Sequence, residues 1–221
     1  TGLYMGQALG GFGATIADTF SWQQAFHSFG IIGIVYSVVL ILLLREKTVP
    51  DEPITDAINP IKNKTPLLKG LGLLLTNISF WIILFYFAVP SLPGWGVKNW
   101  LPTLFSENLG IDMSKAGPIS TITIACSSFI GVIFGGILSA RWVQKNIRGR
   151  IYTSAIGLAL TIPALILGGY GHSLMHIIGA AFCFGFGFGM FDANNMPILC
   201  QFVSRKYRAT AYGLMNMVGV F

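Results

Sequence analysis

The sequence predicts an all-α fold, a polytopic transmembrane helical bundle, and three observations carry that reading. Only 10% of the 221 residues are charged and 53% are hydrophobic, whereas an ordinary soluble domain carries about a quarter charged residues. Apolar windows recur along the chain at roughly the 20-residue length a helix needs to cross a bilayer core. The basic residues fall between those windows, almost all on one side of the array they define. Period-2 alternation is missing and the runs are too long for strands, which sets a β-barrel aside. The low charge, 17 Phe and 27 Gly also argue against a disordered chain, a disulfide scaffold or an ordinary soluble enzyme.

The first window covers 1–17 and ends at Asp18. Gly2, Gly6 and Gly10 recur every four residues along it, a spacing that lets helix backbones approach closely in lipid. The second window, 26–44, is an almost unbroken aliphatic run. Residues 45–69 then carry four prolines (Pro50, Pro53, Pro60, Pro66) and both charge signs. They read either as a linker between two units or as a plain surface loop. Residues 67–75 suggest a short interfacial helix leading out of it. The third window, 78–105, is expected to be interrupted at Pro90, Pro93 and Gly94. The fourth, 118–140, repeats the small-residue spacing at Gly131 and Gly135. Its Ser120, Thr121, Thr123, Ser127 and Ser128 are expected to bond their own backbone carbonyls. The fifth is 151–170. The sixth, 175–203, holds Gly185, Gly187 and Gly189 in a Phe-rich stretch; no strand precedes them, so close packing or local flexibility is expected rather than a phosphate cradle. A seventh begins near residue 209. The chain opens inside one apolar segment and stops inside another, as an internal piece of a longer protein would, and no basic leader marks a signal peptide.

Fourteen Lys and Arg against eight Asp and Glu give +6. Threading the windows through a bilayer puts twelve of the fourteen on one side: Arg45, Lys47, Lys62, Lys64, Lys69, Arg141, Lys145, Arg148, Arg150, Arg205, Lys206 and Arg208. Only Lys98 and Lys115 fall on the other. The positive-inside rule assigns the loops 45–70, 141–150 and 204–208 to the cytoplasm. The surplus therefore reports orientation, and the expected partner is the lipid bilayer, with no nucleic acid.

Side-chain chemistry for an enzyme is missing. Cys126, Cys183 and Cys200 lie within windows without metal-ligand spacing and read as buried free thiols. His172 and His176 could share a helical face but lack a third ligand, so neither metal nor cofactor is expected, and His27 reads as interfacial. No Ser/His/Asp, Cys/His or paired-carboxylate set stands out. Polar residues inside the windows carry more information, because an intramembrane charge is costly and marks function or a specific partner. Asp192 lies 17 residues into the sixth window and is followed by Asn194, Asn195 and Pro197. Helical spacing puts Asp192 and Asn195 on one face, continued by Phe188 and Leu199, and Pro197 frees a backbone carbonyl one turn earlier. Asp192 is either a cavity-facing carboxylate or one tied to a basic or polar partner that locks two helices together. Tyr4 and Gln7 in the first window are further candidates, as is Tyr86, one turn before the expected break. Trp95, Asn99 and Trp100 lie just past that break and line a vestibule or form an interfacial aromatic belt. Asn216 sits early in the last window.

Several stretches resemble the major facilitator superfamily. Residues 2–11 (GLYMGQALGG), with Ser21, Trp22 and Phe26, resemble its fifth helix and the start of its sixth. Residues 136–141 (GILSAR) and 148–150 (RGR) resemble its cytoplasmic loop signature between helices eight and nine. Residues 208–216 (RATAYGLMN) resemble the entry into helix eleven. Two positions depart: Ala140 stands where the signature usually has Asp, and Gln23 where a basic residue often follows the Trp. The pattern is most similar to the organic anion:cation symporters, a group of sugar-acid, sialate and hexuronate carriers, in which Gln7 and Asn216 match polar positions resembling substrate contacts.

The resemblance implies a partial major facilitator fold. Residues 1–44 would be the last two helices of the N-terminal six-helix half, 45–70 the central loop, and 71–221 the C-terminal half. It implies a monomeric secondary transporter of a small organic solute, an organic anion or sugar acid, in a bacterial inner membrane, working by proton-coupled alternating access. Tyr4, Gln7, Tyr86, Asn99, Asn195 and Asn216 would contact substrate. Asp192, the one mid-window carboxylate, is the ion-coupling candidate by elimination. No mid-window Arg or Lys is apparent, so an anion clamp would lie in other helices. The alternatives are an efflux antiporter of hydrophobic compounds, which suits the aromatic content but would be expected to carry a Gly-Pro pair where Gly10 and Gly11 stand, and a non-transporting bundle or sensor. Cysteine introduced at position 147 should be labelled only from the cytoplasm by a membrane-impermeant maleimide; labelling from outside would overturn the orientation.

Overall fold

The computed structural model describes residues 2–43, 71–72, 74–171 and 173–220, which form helices and no strands. They are α1 (Gly2–Gly10), α2 (Gly13–Thr19), α3 (Trp22–Leu43), α4 (Ile78–Leu109), α5 (Met113–Val143), α6 (Gly149–Tyr170), α7 (Leu174–Phe202), a 3-10 turn (Arg205–Tyr207) and α8 (Arg208–Val220). Helices α3 to α7 are each long and apolar enough to cross a membrane. The expected linker at 45–69 lies outside the described residues. So does most of the expected interfacial helix, of which 71–72 and 74–75 are helical.

Two windows differ from expectation. The first splits into α1 and α2 around Gly11 and Phe12, although Gly11 N still donates to Gln7 O at 3.3 Å. The third is one unbroken helix with Pro90, Pro93 and Pro102 inside it. Proline removes a backbone donor and so frees the carbonyls of Tyr86, Val89 and Lys98, yet in a bundle protein or water neighbours can meet such groups and the helix continues. Asn77 caps the start of α4 by accepting from Ser79 N at 2.9 Å, and Gly110 ends it at φ 62°, a conformation glycine adopts without penalty. Pro118 in α5 likewise frees the Ser114 carbonyl, and Thr15 Oγ1 of α2 donates to it at 2.7 Å. Arg208 holds the last turn of α7, donating from Nη2 to Cys200 O at 2.8 Å and from Nε to Val203 O at 3.2 Å.

Helix α7 is the centre of the bundle, packed along α5 and α6. Apolar burial gives helices little reason to associate in lipid, so small residues that admit backbone contact do that work. A Cβ on Gly187 would stand 2.5 Å from the Gly157 carbonyl of α6. One on Gly135 of α5 would stand 2.7 Å from Met190 Cα. Side chains at Gly131, Gly185 or Gly189 would overlap Phe186, Ser127 and Ser128 respectively. Of the two readings for the α7 glycines, packing or flexibility, these contacts favour packing, and Gly131 and Gly135 of α5 take the packing role their spacing suggests. The stripe on α1 is not where the first helix crosses its neighbour, because Gly6 and Gly10 meet open space. The crossing is at Gly11, where a side chain would overlap Thr121 of α5, and at Gly117, whose Cβ would stand 3.1 Å from Gly11 O.

Three apolar clusters stack along α7. One joins the start of α4 (Phe80, Ile83, Leu84) to Leu199 and to Ala211 and Met215 of α8. A second joins the end of α4 (Leu101, Phe105) to the starts of α5 and α7. Between them lie Ala164, Phe184, Phe188 and Phe191, with Tyr86 and Phe87 against them. The short connections make α4 to α7 alternate in direction, so Arg141, Arg148, Arg150, Arg205 and Arg208 share one end of the bundle. Helix α3 packs on α2 and buries only Ala25, leaving its other aliphatic side chains outward.

The serines and threonines of α5 largely follow expectation. Ser120, Thr121, Thr123 and Ser127 donate to carbonyls three or four residues earlier, while Ser128 Oγ is buried with no partner among the described residues. The cysteines are free, but Cys126 is exposed rather than buried, since it faces away from α7; Cys183 and Cys200 are half-buried. Gly131→Val should destabilise the protein by about 1–3 kcal/mol or more through backbone overlap. Gly136→Ala, which meets nothing within 4 Å, should be neutral or stabilise by up to about 1 kcal/mol. Thermal unfolding in detergent measures both, and equal losses would contradict the packing described.

Candidate functional site

Helical geometry brings polar groups from three helices to one level. In an α-helix each Cβ tilts toward the N-terminus. Helix α4 starts at the basic end and α7 at the opposite end, so Lys98 on α4 and Asp192 on α7 lean toward each other's level. Gly94 and Lys98 are one turn apart on α4; Phe188, Asp192 and Asn195 follow at helical spacing on α7. Tyr4 enters from α1.

Asp192 is half-buried, and its carboxylate has two donors. Tyr4, only 3% exposed, donates its hydroxyl to Oδ2 at 2.9 Å. Asn195 donates from Nδ2 to Oδ1 at 3.4 Å. Of the two readings left open for Asp192, that of a carboxylate tied to another helix therefore describes one of its contacts. Its half-buried state leaves room for the other.

Lys98 overturns an expectation. The charge count sets it on the outer side, past the expected break in the 78–105 window, and no mid-window cation is expected. It lies within the unbroken α4, eleven residues before the helix ends. Its Nζ stands 4.3 Å from the centre of the Phe188 ring and 5.6 Å from that of Tyr4, an arrangement that attracts a cation to the ring faces. Among the described residues Nζ has no hydrogen bond and no carboxylate within ion-pair distance. Gly94 makes room for the Phe188 ring, since a side chain there would overlap it. The signal that would have found Lys98 is the stop at Leu109 and Gly110. An unbroken helix running to that stop puts Lys98 well within it, whereas a break at Pro90, Pro93 and Gly94 leaves it past the interruption.

The other expected site residues are scattered around this cluster. Gln7 is half-buried one turn along α1 from Tyr4. Asn195 is 5% exposed and its Oδ1 has no partner among the described residues. Tyr86 stacks its ring 5.4 Å from Phe191. Its hydroxyl faces Ser154 of α6 without reaching a hydrogen bond of standard geometry. Asn99, Trp95 and Trp100 are exposed on α4. Asn216 donates to Tyr212 O of its own helix at 3.0 Å. Asn194, not singled out as a site residue, is fully buried; it donates to Met190 O at 3.0 Å and leaves Oδ1 unpaired. His27 is exposed, His176 contacts Ser173 Oγ at the start of α7, and His172 lies outside the described residues.

Comparison with known proteins adds to this geometry. The profile of the Major Facilitator Superfamily matches residues 1–221. The probable anion transporter 6, chloroplastic, of Arabidopsis thaliana is 23% identical, over 99% of this chain and 44% of its own length. The hexuronate transporter of Bacillus subtilis is 28% identical, over 60% of this chain and 31% of its own length. A crystal structure of a bacterial homolog to the human lysosomal transporter Spinster, inward-facing and unoccupied, superposes with a TM-score of 0.66 at 19% identity. It covers 98% of this chain and 50% of that one, a likeness of fold. The chain spans about half the length, or less, of these relatives.

The Tyr4–Asp192 bond can be measured. In a double-mutant cycle of Tyr4→Phe and Asp192→Ala, the two losses of thermal stability should couple by about 0.5–3 kcal/mol, as for groups in direct contact. Strict additivity would show that the bond contributes nothing.

Proposed function

The chain belongs to the Major Facilitator Superfamily, and from that premise we propose that it forms part of a secondary active transporter of a small organic anion of the sugar-acid class. Transport is by alternating access and is coupled to protons. The observation that carries the reading is the hydrogen bond from Tyr4 to Asp192. It ties the 1–44 segment to the 71–221 segment, the portions read as belonging to the two halves that rock against each other. A hydrogen bond to an ionised carboxylate is about twice as strong as a neutral one. Proton uptake by Asp192 therefore weakens the tie, and proton release restores it. In that way a proton changes the relative stability of two arrangements of the halves.

Gln7, Asn99, Asn195, Tyr86 and Asn216 are the proposed polar contacts for substrate around this pair. The names of the Arabidopsis and Bacillus relatives, an anion and a hexuronate transporter, support the substrate class. The reading sets the chain in a bacterial inner membrane as a monomer, with the loops at 45–70, 141–150 and 204–208 in the cytoplasm. Catalysis forms no part of it. A second reading, efflux of hydrophobic compounds, draws on one observation: a crevice of about 330 Å³ between α4, α6 and α7, lined by Val97, Trp100, Leu101 and Phe184. It contains no charged side chain, whereas the Lys98–Asp192 level carries two.

In the full-length protein, Asp192→Asn should abolish accumulation of a sugar acid driven by a proton gradient, while expression and membrane insertion persist. Uptake is followed with radiolabelled D-glucuronate in vesicles carrying an imposed pH step. Accumulation equal to that of the unmodified protein would remove Asp192 from the coupling role.

A further inference from the structure

Lys98 is unlike the other basic residues described here, which lie at the ends of the helices. An ammonium carries three N–H donors and accepts nothing, and a charge held within a span is stable only with a partner or in a polar cavity. The rings of Phe188 and Tyr4 attract the charge but accept no conventional hydrogen bond, and Asp192, which accepts from Tyr4 and Asn195, lies beyond ion-pair distance of Nζ. The cation is thus positioned, through Gly94 and Phe188, with its donors uncommitted.

We propose that Lys98 is the anion-recognition point of this transporter, and that its ligand is a monocarboxylate taken up together with one proton. The proposal rests on the reading of the protein as an organic-anion transporter and assigns a residue and a charge state to it. Charge balance supplies the argument. Without ligand, Lys98 and Asp192 sum to zero. A carboxylate arriving beside Lys98 adds a second negative charge at the level of Asp192, and like charges in a low-dielectric span destabilise each other. Transfer of one proton to Asp192 removes the conflict: the loaded site is ammonium, ligand carboxylate and neutral acid, again summing to zero. Both the empty and the loaded site therefore avoid a net charge within the membrane, which is costly by any scale. A dicarboxylate with the same single proton leaves one negative charge over. The proton taken up by Asp192 also loosens its tie to Tyr4, so binding at Lys98 and release of α1 from α7 are linked through one carboxylate.

The test uses the full-length protein purified in detergent, with D-glucuronate as the probe and two comparators: uncharged D-glucuronamide and the dicarboxylate D-glucarate. Binding is read by isothermal titration calorimetry, and size-exclusion chromatography confirms that each variant is monodisperse. Lys98→Gln should weaken glucuronate binding about tenfold to a hundredfold, as expected for a lost hydrogen bond to a charged group. Lys98→Arg should stay within about tenfold of the unmodified protein, and glucuronamide should respond little to either change. Glucuronate should bind more tightly than glucarate. If Lys98→Gln binds glucuronate as the unmodified protein does, Lys98 is not the anion point, while organic-acid transport stands. Equal losses in Lys98→Gln and Lys98→Arg, in protein that stays monodisperse, would mark Lys98 as a packing residue and overturn the proposal. If the unmodified protein binds neither acid, this inference and the organic-anion reading fall together.

Discussion

Backbone-to-backbone approach around α7 is the constraint on which the other positions depend. Gly185 and Gly189 face α5, and Gly187 faces α6. At about 100° per residue, those two contacts leave α7 a single further face for other neighbours. Phe188, Asp192 and Asn195 occupy it. The rotation of α7 that turns Asp192 toward α1 and α4 is therefore set by residues with no side chain at all. A bulkier residue at any of the three glycines would move α5 or α6 outward and rotate the polar face with it. Lipid supplies no solvent force to restore the fit.

On that face the structure holds opposite charges without joining them. Lys98 is drawn to the rings of Phe188 and Tyr4, and Asp192 is held by Tyr4 and Asn195. Tyr4 contributes to both environments, its ring to the cation and its hydroxyl to the carboxylate. A closed ion pair would have been more stable in isolation but unavailable to a third charge. Further along α7 and α6, Asn194 Oδ1, Asn195 Oδ1 and Ser154 Oγ are buried without partners among the described residues, as is the Tyr86 hydroxyl of α4. Within a membrane span, polar groups persist where protein or water meets them.

Much of the fold was legible in the sequence because bilayer thickness and helix rise constrain each span locally. Windows two to six matched helices to within a few residues at most ends. The misses share a cause. Proline at positions 90 and 93 reads as a break when a helix is considered alone, but α4 packed in the bundle runs through both. The glycines of α1 at 6 and 10 have the spacing of a crossing face, yet Gly11 makes the contact, because the bend after Gly10 turns the chain toward Thr121. Both outcomes depend on neighbours from distant parts of the chain.

The candidate site divides along the same line. Asp192, Asn195 and Tyr4 were identifiable as polar residues inside apolar windows, since their cost in lipid is a property of residue type and depth. The low charge and the one-sided basic residues likewise established a membrane bundle before any contact was known. Lys98 was not identifiable as a site residue, because its depth depends on α4 running unbroken past Pro90 and Pro93, and that depends on packing. Which polar residues meet was decided by tertiary structure alone: 188 residues separate Tyr4 from Asp192, and only the rotation of α7 imposed by its glycines brings them within a hydrogen bond.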